Sequence, residues 1–242
     1  MGSIHPSVKV GPGAMVDGGV SLGKGCVVGA GAMISGDTEI GENNIIDAYV
    51  ILGAEPQDPG KYKGGGTLRI GCGNRFREFT TVHRGHLDPG GTIIGDGNYF
   101  CSSVHIAHDC KIGNGNFFGN AVLLAGHVQV QDRANFSGHA GVHQFCRIGK
   151  HAMIGGISAI RRDILPYFTV QGDPAVHIGL NRIGLRRAGY TLEQINAIGE
   201  AFRMMRNKRY TERPDNVYLQ EFLEYAALSK RGLAAFGRKG RE

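Results

Sequence analysis

Apolar residues recur every six positions along most of this chain, and that period belongs to neither common secondary structure. Stepping by six from Ile4 meets Val10, Val16, Leu22, Val28, Ile34, Ile40, Ile46 and Leu52, then Ile70, Phe76 and Val82. From Ile94 the series runs through Phe100, Ile106, Ile112, Phe118, Leu124, Val130, Phe136, Val142, Ile148 and Ile154 to Ile160. Between Ile4 and Ile160 only Asp58, Gly64 and Asp88 interrupt it. An amphipathic helix repeats every 3.6 residues and a half-buried strand every two. The position four residues beyond each apolar one is usually small, as at Ala14, Cys26, Ala32, Cys110, Ala134, Ala140, Cys146 and Ala152. Glycines cluster between the two, as at Gly11 and Gly13 or Gly113 and Gly115, where a sharp corner needs positive φ. One short strand per six residues, closed by such a corner, satisfies all three regularities. Three strands make a triangular coil of 18 residues, and coils stack as parallel sheets about 4.8 Å apart. Each coil then buries its core only against its neighbours. The predicted fold class is mainly β: a parallel β-helix, a hexapeptide-repeat solenoid of about nine coils over residues 4 to about 168, with a small C-terminal α-helical region.

Composition agrees. Forty glycines in 242 residues and no tryptophan exclude an ordinary helix bundle, and glycine does not fall at every third position as collagen requires. With 41% hydrophobic and 20% charged residues, disorder is not expected. Five cysteines without a CxxC pair argue against a disulfide framework or a zinc ribbon and fit a reducing cytoplasm. No apolar run approaches the roughly 20 residues of a membrane span, and Met1 to Pro6 lacks the blocks of a signal peptide. A cytoplasmic protein with no integral membrane segment is expected. The net charge of +6 suits an anionic ligand or an acidic partner; no motif points to nucleic acid.

Two interruptions are long enough to be loops, at about 53–69 and 84–92. The predicted organisation is a β-helix with these loops and a connecting segment over residues 1–187, then an α-helical region over 188–242. Thr191 with Gln194 reads as a capping box. Leu192, Ile195, Ile198, Phe202 and Met205 follow at helical spacing, and a second helix is expected from about Asp215 to Lys230.

Ten histidines are present, and their placement matters more than their number. Eighteen residues return the chain to the same point one coil on. His108 plus 18 falls beside His127, and plus 36 falls beside His143, so all three should lie along one edge, with His105 nearby. Such an edge suits zinc, which three histidines hold with an open position, or a neutral imidazole acting as general base. Asp109 can support His108 only if the chain turns a corner there, because neighbours on a strand face opposite ways. No strained nucleophile elbow of the GxSxG type is present.

The segments HIAHDC (105–110), LAGHV (124–128), VHQF (142–145), PQD (56–58) with Lys61 and Tyr62, VHRG (82–85) and GLNRIGLRRAG (179–189) resemble the UDP-N-acetylglucosamine O-acyltransferases of lipid A biosynthesis. The resemblance covers nearly the whole chain. It implies a left-handed β-helix working as a homotrimer, with no cofactor and no metal. It further implies transfer of an (R)-3-hydroxyacyl chain from acyl carrier protein, an acidic partner, to the glucosamine 3-position of UDP-N-acetylglucosamine. By the resemblance His108 matches the general base, Asp109 its support and Gly126 the oxyanion donor. Asp58, Lys61, His105, His127, His143 and Gln144 match substrate contacts, Asn181 and Arg187 nucleotide and phosphate contacts, and Gly156 the far end of the acyl groove. A 3-amino-sugar acceptor, a γ-type carbonic anhydrase with zinc on shared histidines, and a non-catalytic solenoid scaffold are the competing readings.

Overall fold

Each hexad forms a strand closed by a tight corner, and strands one coil apart pair in parallel. The computed structural model describes residues 2–59, 64–86, 90–211 and 215–237. Among these, three sheets of ten, eight and seven strands make the faces of a prism. The register follows the 18-residue step: Phe100 pairs with Phe118, Ile106 with Leu124 and Ile112 with Val130. Both loops return to this ladder, with a register shift between Val82 and His83 where the second begins. Leu52 still pairs with Val82, and Ile70 with Ile94, so each loop is an excursion from a corner that returns to the ladder.

The interior follows from the spacing between coils. Phe76, Phe100, Phe118 and Phe136 stack with centroids 4.7, 4.8 and 4.8 Å apart, the separation of hydrogen-bonded strands. One corner departs from the expectation of small inward residues. Asn44, Asn74, Asn98 and Asn116 form a buried polar ladder there. The Oδ1 of each accepts the backbone N–H one coil on, at 2.7–2.9 Å, through to Ala134. Each side chain thus satisfies donors that the turn leaves without a ladder partner. Nor are the corners reserved for glycine. Asn43, Tyr49, Phe79, Ser103, Asp109, His127 and Phe145 take positive φ between 56° and 66°. That conformation costs about 1–2 kcal/mol per residue, and the ladders on either side enforce it.

The C-terminal part differs from the sequence expectation at its start. The segment expected to connect contains an antiparallel hairpin, Phe168–Gly172 with Ala175–Leu180, whose first strand continues the parallel sheet by pairing with Met153–Ile154. Helical structure then begins at Arg182, ahead of the expected boundary at 188. Helix α1 (Arg182–Arg187) is set by its N-cap, Asn181, and is too short to display a periodic apolar face. Helix α2 (Leu192–Asn207) carries the capping box of Thr191 and Gln194, and helix α3 (Val217–Ala227) starts from Asn216. Leu185, Ile195, Ile198, Leu219 and Phe222 form a second core on Leu165, Tyr167 and Phe168. Leu192, Val217 and Leu228 face solvent instead.

His177 ties this region to the solenoid. Its Nε2 accepts the Leu165 N–H at 3.0 Å and its Nδ1 donates to the Ala234 carbonyl at 3.1 Å. Burial pushes its pKa down to about 4, only partly opposed by those carbonyl bonds.

Two outcomes test this account. Asn98→Ala strands the Asn116 N–H and the Gly113 carbonyl; a loss of about 1–3 kcal/mol in denaturant unfolding is expected, and an unchanged midpoint would remove the structural role of the ladder. The depressed His177 value makes the unfolded chain bind a proton that the folded chain does not, between the ordinary 6.5 and about 4. Its contribution is complete above pH 6.5 and is lost as pH falls towards 4. Thermal midpoints should decline through that window, and less steeply in His177→Gln.

Candidate active site

His108 and Asp109 occupy the corner that follows the strand His105–Ile106. The φ of 60° at Asp109 brings the two side chains to one edge, and His108 Nδ1 lies 2.8 Å from Asp109 Oδ2. An ionised carboxylate only accepts. His108 therefore carries a proton on Nδ1, and in the neutral ring the lone pair is left on Nε2. Asp109 is held from several sides: His86 N–H donates to Oδ1 at 3.0 Å, His86 Nδ1 lies 2.7 Å from Oδ2, and the Asp109 N–H donates to Thr92 Oγ1 at 2.8 Å. Burial is the largest single influence on this carboxyl and favours its protonated form. The bonds from His108 and His86 with the charge of His127 together outweigh burial and hold the group below the ordinary carboxylate range.

One coil on, Gly126 lies in register with His108. A Cβ there would sit 2.6 Å from His108 Cε1 and 2.7 Å from Nε2, so the imidazole edge rests directly on glycine backbone. Close approach is what requires glycine, since φ at this residue is not in the left-handed region. Among the described residues no acceptor takes the Gly126 N–H. His127 stacks on Phe145 with centroids 4.6 Å apart, and its Nε2 is 3.8 Å from Asp109 Oδ2. Burial, opposed by Asp109, keeps its pKa below the ordinary value. His105 bonds Thr81 Oγ1 at 2.8 Å; burial first, then His83 and His108, push it down to about 4, so it is neutral near pH 7.

These residues border a groove of about 610 Å³. His105, His108, Gly126, His143, Gln144 and Asp58 line it, with Leu123, Leu124, Val142, Ala159 and Ile160 as an apolar wall. Lys61 and Tyr62 lie outside the described residues. Four of the expected contacts do not line the groove of one protomer: His127, which stacks on Phe145, and Gly156, Asn181 and Arg187. Gly156 sits at the corner before the strand Ala159–Ile160, the opposite edge of the same sheet, and is exposed. Asn181 caps α1, accepting the Gly184 N–H at 3.0 Å and donating to the His151 carbonyl at 2.9 Å. Arg187 is exposed at the end of α1. Conversely, sequence reasoning missed His86. Val82 to Ile94 spans twelve residues instead of six, so the 18-residue step cannot place a residue on that loop; only its position just after VHRG was a signal.

His86, His108, Asp109 and His127 bring their candidate ligand atoms within 4.8 Å of one another. The separations of 2.7 and 2.8 Å from Asp109 Oδ2 to two imidazole nitrogens are those of shared protons. Ligands about 2.0–2.1 Å from a tetrahedral zinc stand roughly 3.3 Å apart. As it stands the cluster is joined by hydrogen bonds to one carboxylate oxygen.

Family models match at both ends: a bacterial transferase hexapeptide model of six repeats over residues 2–36, and the second domain of UDP N-acetylglucosamine O-acyltransferase over residues 163–234. The chain is 46% identical over 155 residues to the acyl-[acyl-carrier-protein]–UDP-N-acetylglucosamine O-acyltransferase of Anaeromyxobacter sp. (strain K). That match spans 63% of this chain and 60% of the relative, less than two thirds of its length. Identity to the protein of the same name from Thiobacillus denitrificans is 41%, over 96% of this chain and 99% of that one. The solved UDP-N-acetylglucosamine acyltransferase from Campylobacter jejuni superposes with a TM-score of 0.87 at 30% identity, covering 98% of both chains.

The arrangement around Gly126 makes a direct prediction. Gly126→Ala should push the His108 ring away from Asp109, seen in a crystal structure as loss of the 2.8 Å contact; an unmoved ring would show that close approach is not what requires the glycine.

Proposed function

The chain belongs to the UDP-N-acetylglucosamine O-acyltransferase family, and on that premise we propose that it moves an (R)-3-hydroxyacyl chain from acyl carrier protein to the glucosamine 3-hydroxyl of UDP-N-acetylglucosamine, the first step of lipid A biosynthesis. Its fold is the left-handed parallel β-helix with a small helical C-terminal region. The observation that carries the reaction is a single alignment: His108 Nδ1 on Asp109, and His108 Nε2 against the backbone of Gly126 at the groove. Nε2 takes the proton of the 3-hydroxyl as its oxygen attacks the thioester carbonyl. Asp109 stabilises the imidazolium that forms. The Gly126 N–H donates to the oxyanion, a contribution that is strongest where water is excluded. Collapse of the tetrahedral intermediate breaks the C–S bond, and the imidazolium returns the proton to the departing thiolate of the carrier.

Asp58, His105, His127, His143 and Gln144 serve the sugar and acyl groove in this reading, with Lys61 on the same loop as Asp58. Gly156, Asn181 and Arg187 act in a homotrimer, where a neighbouring protomer closes the groove and supplies the acyl end and the nucleotide contacts. The exposed Leu123 and Phe145 beside the site support such a neighbour. The net charge of +6 suits an acidic carrier protein in the cytoplasm.

Incubation with UDP-N-acetylglucosamine, its 3-amino analogue and a panel of hydroxyacyl carrier proteins, read by mass spectrometry, tests the reaction and separates ester from amide. His108→Ala should lower kcat by about 10²–10⁴-fold with an unchanged circular dichroism spectrum. Turnover within threefold of the wild type would end the assignment of the base.

A further inference from the structure

We propose that His86 is a positioning residue that fixes Asp109, and through it the tautomer and aim of His108. The proposal rests on the reading of His108 as general base. His86 holds both oxygens of the carboxylate, by its backbone N–H on Oδ1 at 3.0 Å and its Nδ1 on Oδ2 at 2.7 Å. Two contacts from one residue oppose rotation of the carboxylate about its Cβ–Cγ bond. Oδ2 is thereby fixed 2.8 Å from His108 Nδ1.

The loop is built to deliver this clamp. A Cβ at Gly85 would collide with Asp109 Oδ1, so glycine lets the backbone before His86 lie against the carboxylate. The Gly85 N–H donates to the Thr67 carbonyl at 2.9 Å, which anchors the loop to the neighbouring coil. The His86 ring meets His108 edge-on at 4.6 Å between centroids and lies parallel to His127 at 6.5 Å. Its Nε2 is 3.8 Å from Asp58 Oδ2 on the other loop. His86 thus joins Asp58 on the first loop to the proton-transfer pair, which it contacts through Asp109 and His108.

His86→Ala and His86→Asn separate positioning from simple structure, because an asparagine amide can place an N–H where His86 has Nδ1. Steady-state kinetics are measured for both variants, together with nitrogen NMR of protein labelled at histidine. In the alanine variant kcat should fall about ten- to a hundredfold with KM for both substrates within about twofold, and His108 should become a mixture of tautomers. The asparagine variant should recover most of kcat and the single Nδ1–H tautomer. Alanine at wild-type kcat, or both variants falling alike with the His108 tautomer unchanged, would overturn the proposal. If the wild type acylates neither acceptor, the reaction assignment fails by itself, while the tautomer of His108 still decides what His86 does.

Discussion

The parallel ladder between coils is the constraint on which the rest of this molecule depends. Every 18 residues the backbone must return to the same lateral position, one strand spacing further along, or the donors and acceptors of three faces lose their partners together. Side chains in register inherit that spacing. The phenylalanines of one face stack at the ladder distance, and the asparagines of one corner hand a hydrogen bond from coil to coil. The same rule holds Asp109, His127 and Phe145 at positive φ on a common edge. His108, Asp109 and His127 meet at that edge because the ladder places residues distant in sequence a few ångströms apart, and the corners turn their side chains out of the core.

Within the edge, opposing electrostatic effects decide protonation. Burial alone would neutralise Asp109, yet two imidazoles and a backbone N–H reverse that outcome. The histidines without a dedicated carboxylate partner, His83 and His105, feel burial first and stay neutral. Asp109 thus places one negative charge beside two imidazoles, those of His86 and His108.

How much of this was legible in the sequence depends on which physical rule each residue obeys. The hexads reveal the solenoid because they report backbone geometry directly, and the same arithmetic brings His108, Gly126, His127 and His143 to one edge. The asparagine ladder was hidden: a polar residue at an inward position contradicts the rule of small apolar fillers until the neighbouring coil supplies the donor. His86 was hidden because a loop resets the register. Helix α1 was hidden because six residues show no periodicity. The roles of Gly156, Asn181 and Arg187 came only from resemblance. In one protomer Asn181 is occupied as a helix cap, and the other two lie away from the groove.

The loops have a consequence for how such a fold diversifies. Each departs from a corner and rejoins the ladder with Leu52 opposite Val82 and Ile70 opposite Ile94. Their length and composition are therefore uncoupled from the packing of the prism. Insertions, deletions or grafts between the two anchor points should be absorbed without altering the coils that carry the imidazole and the glycine. The second loop is constrained at one point: Gly85 and His86 lie against both oxygens of Asp109, so an exchange there must keep those two residues.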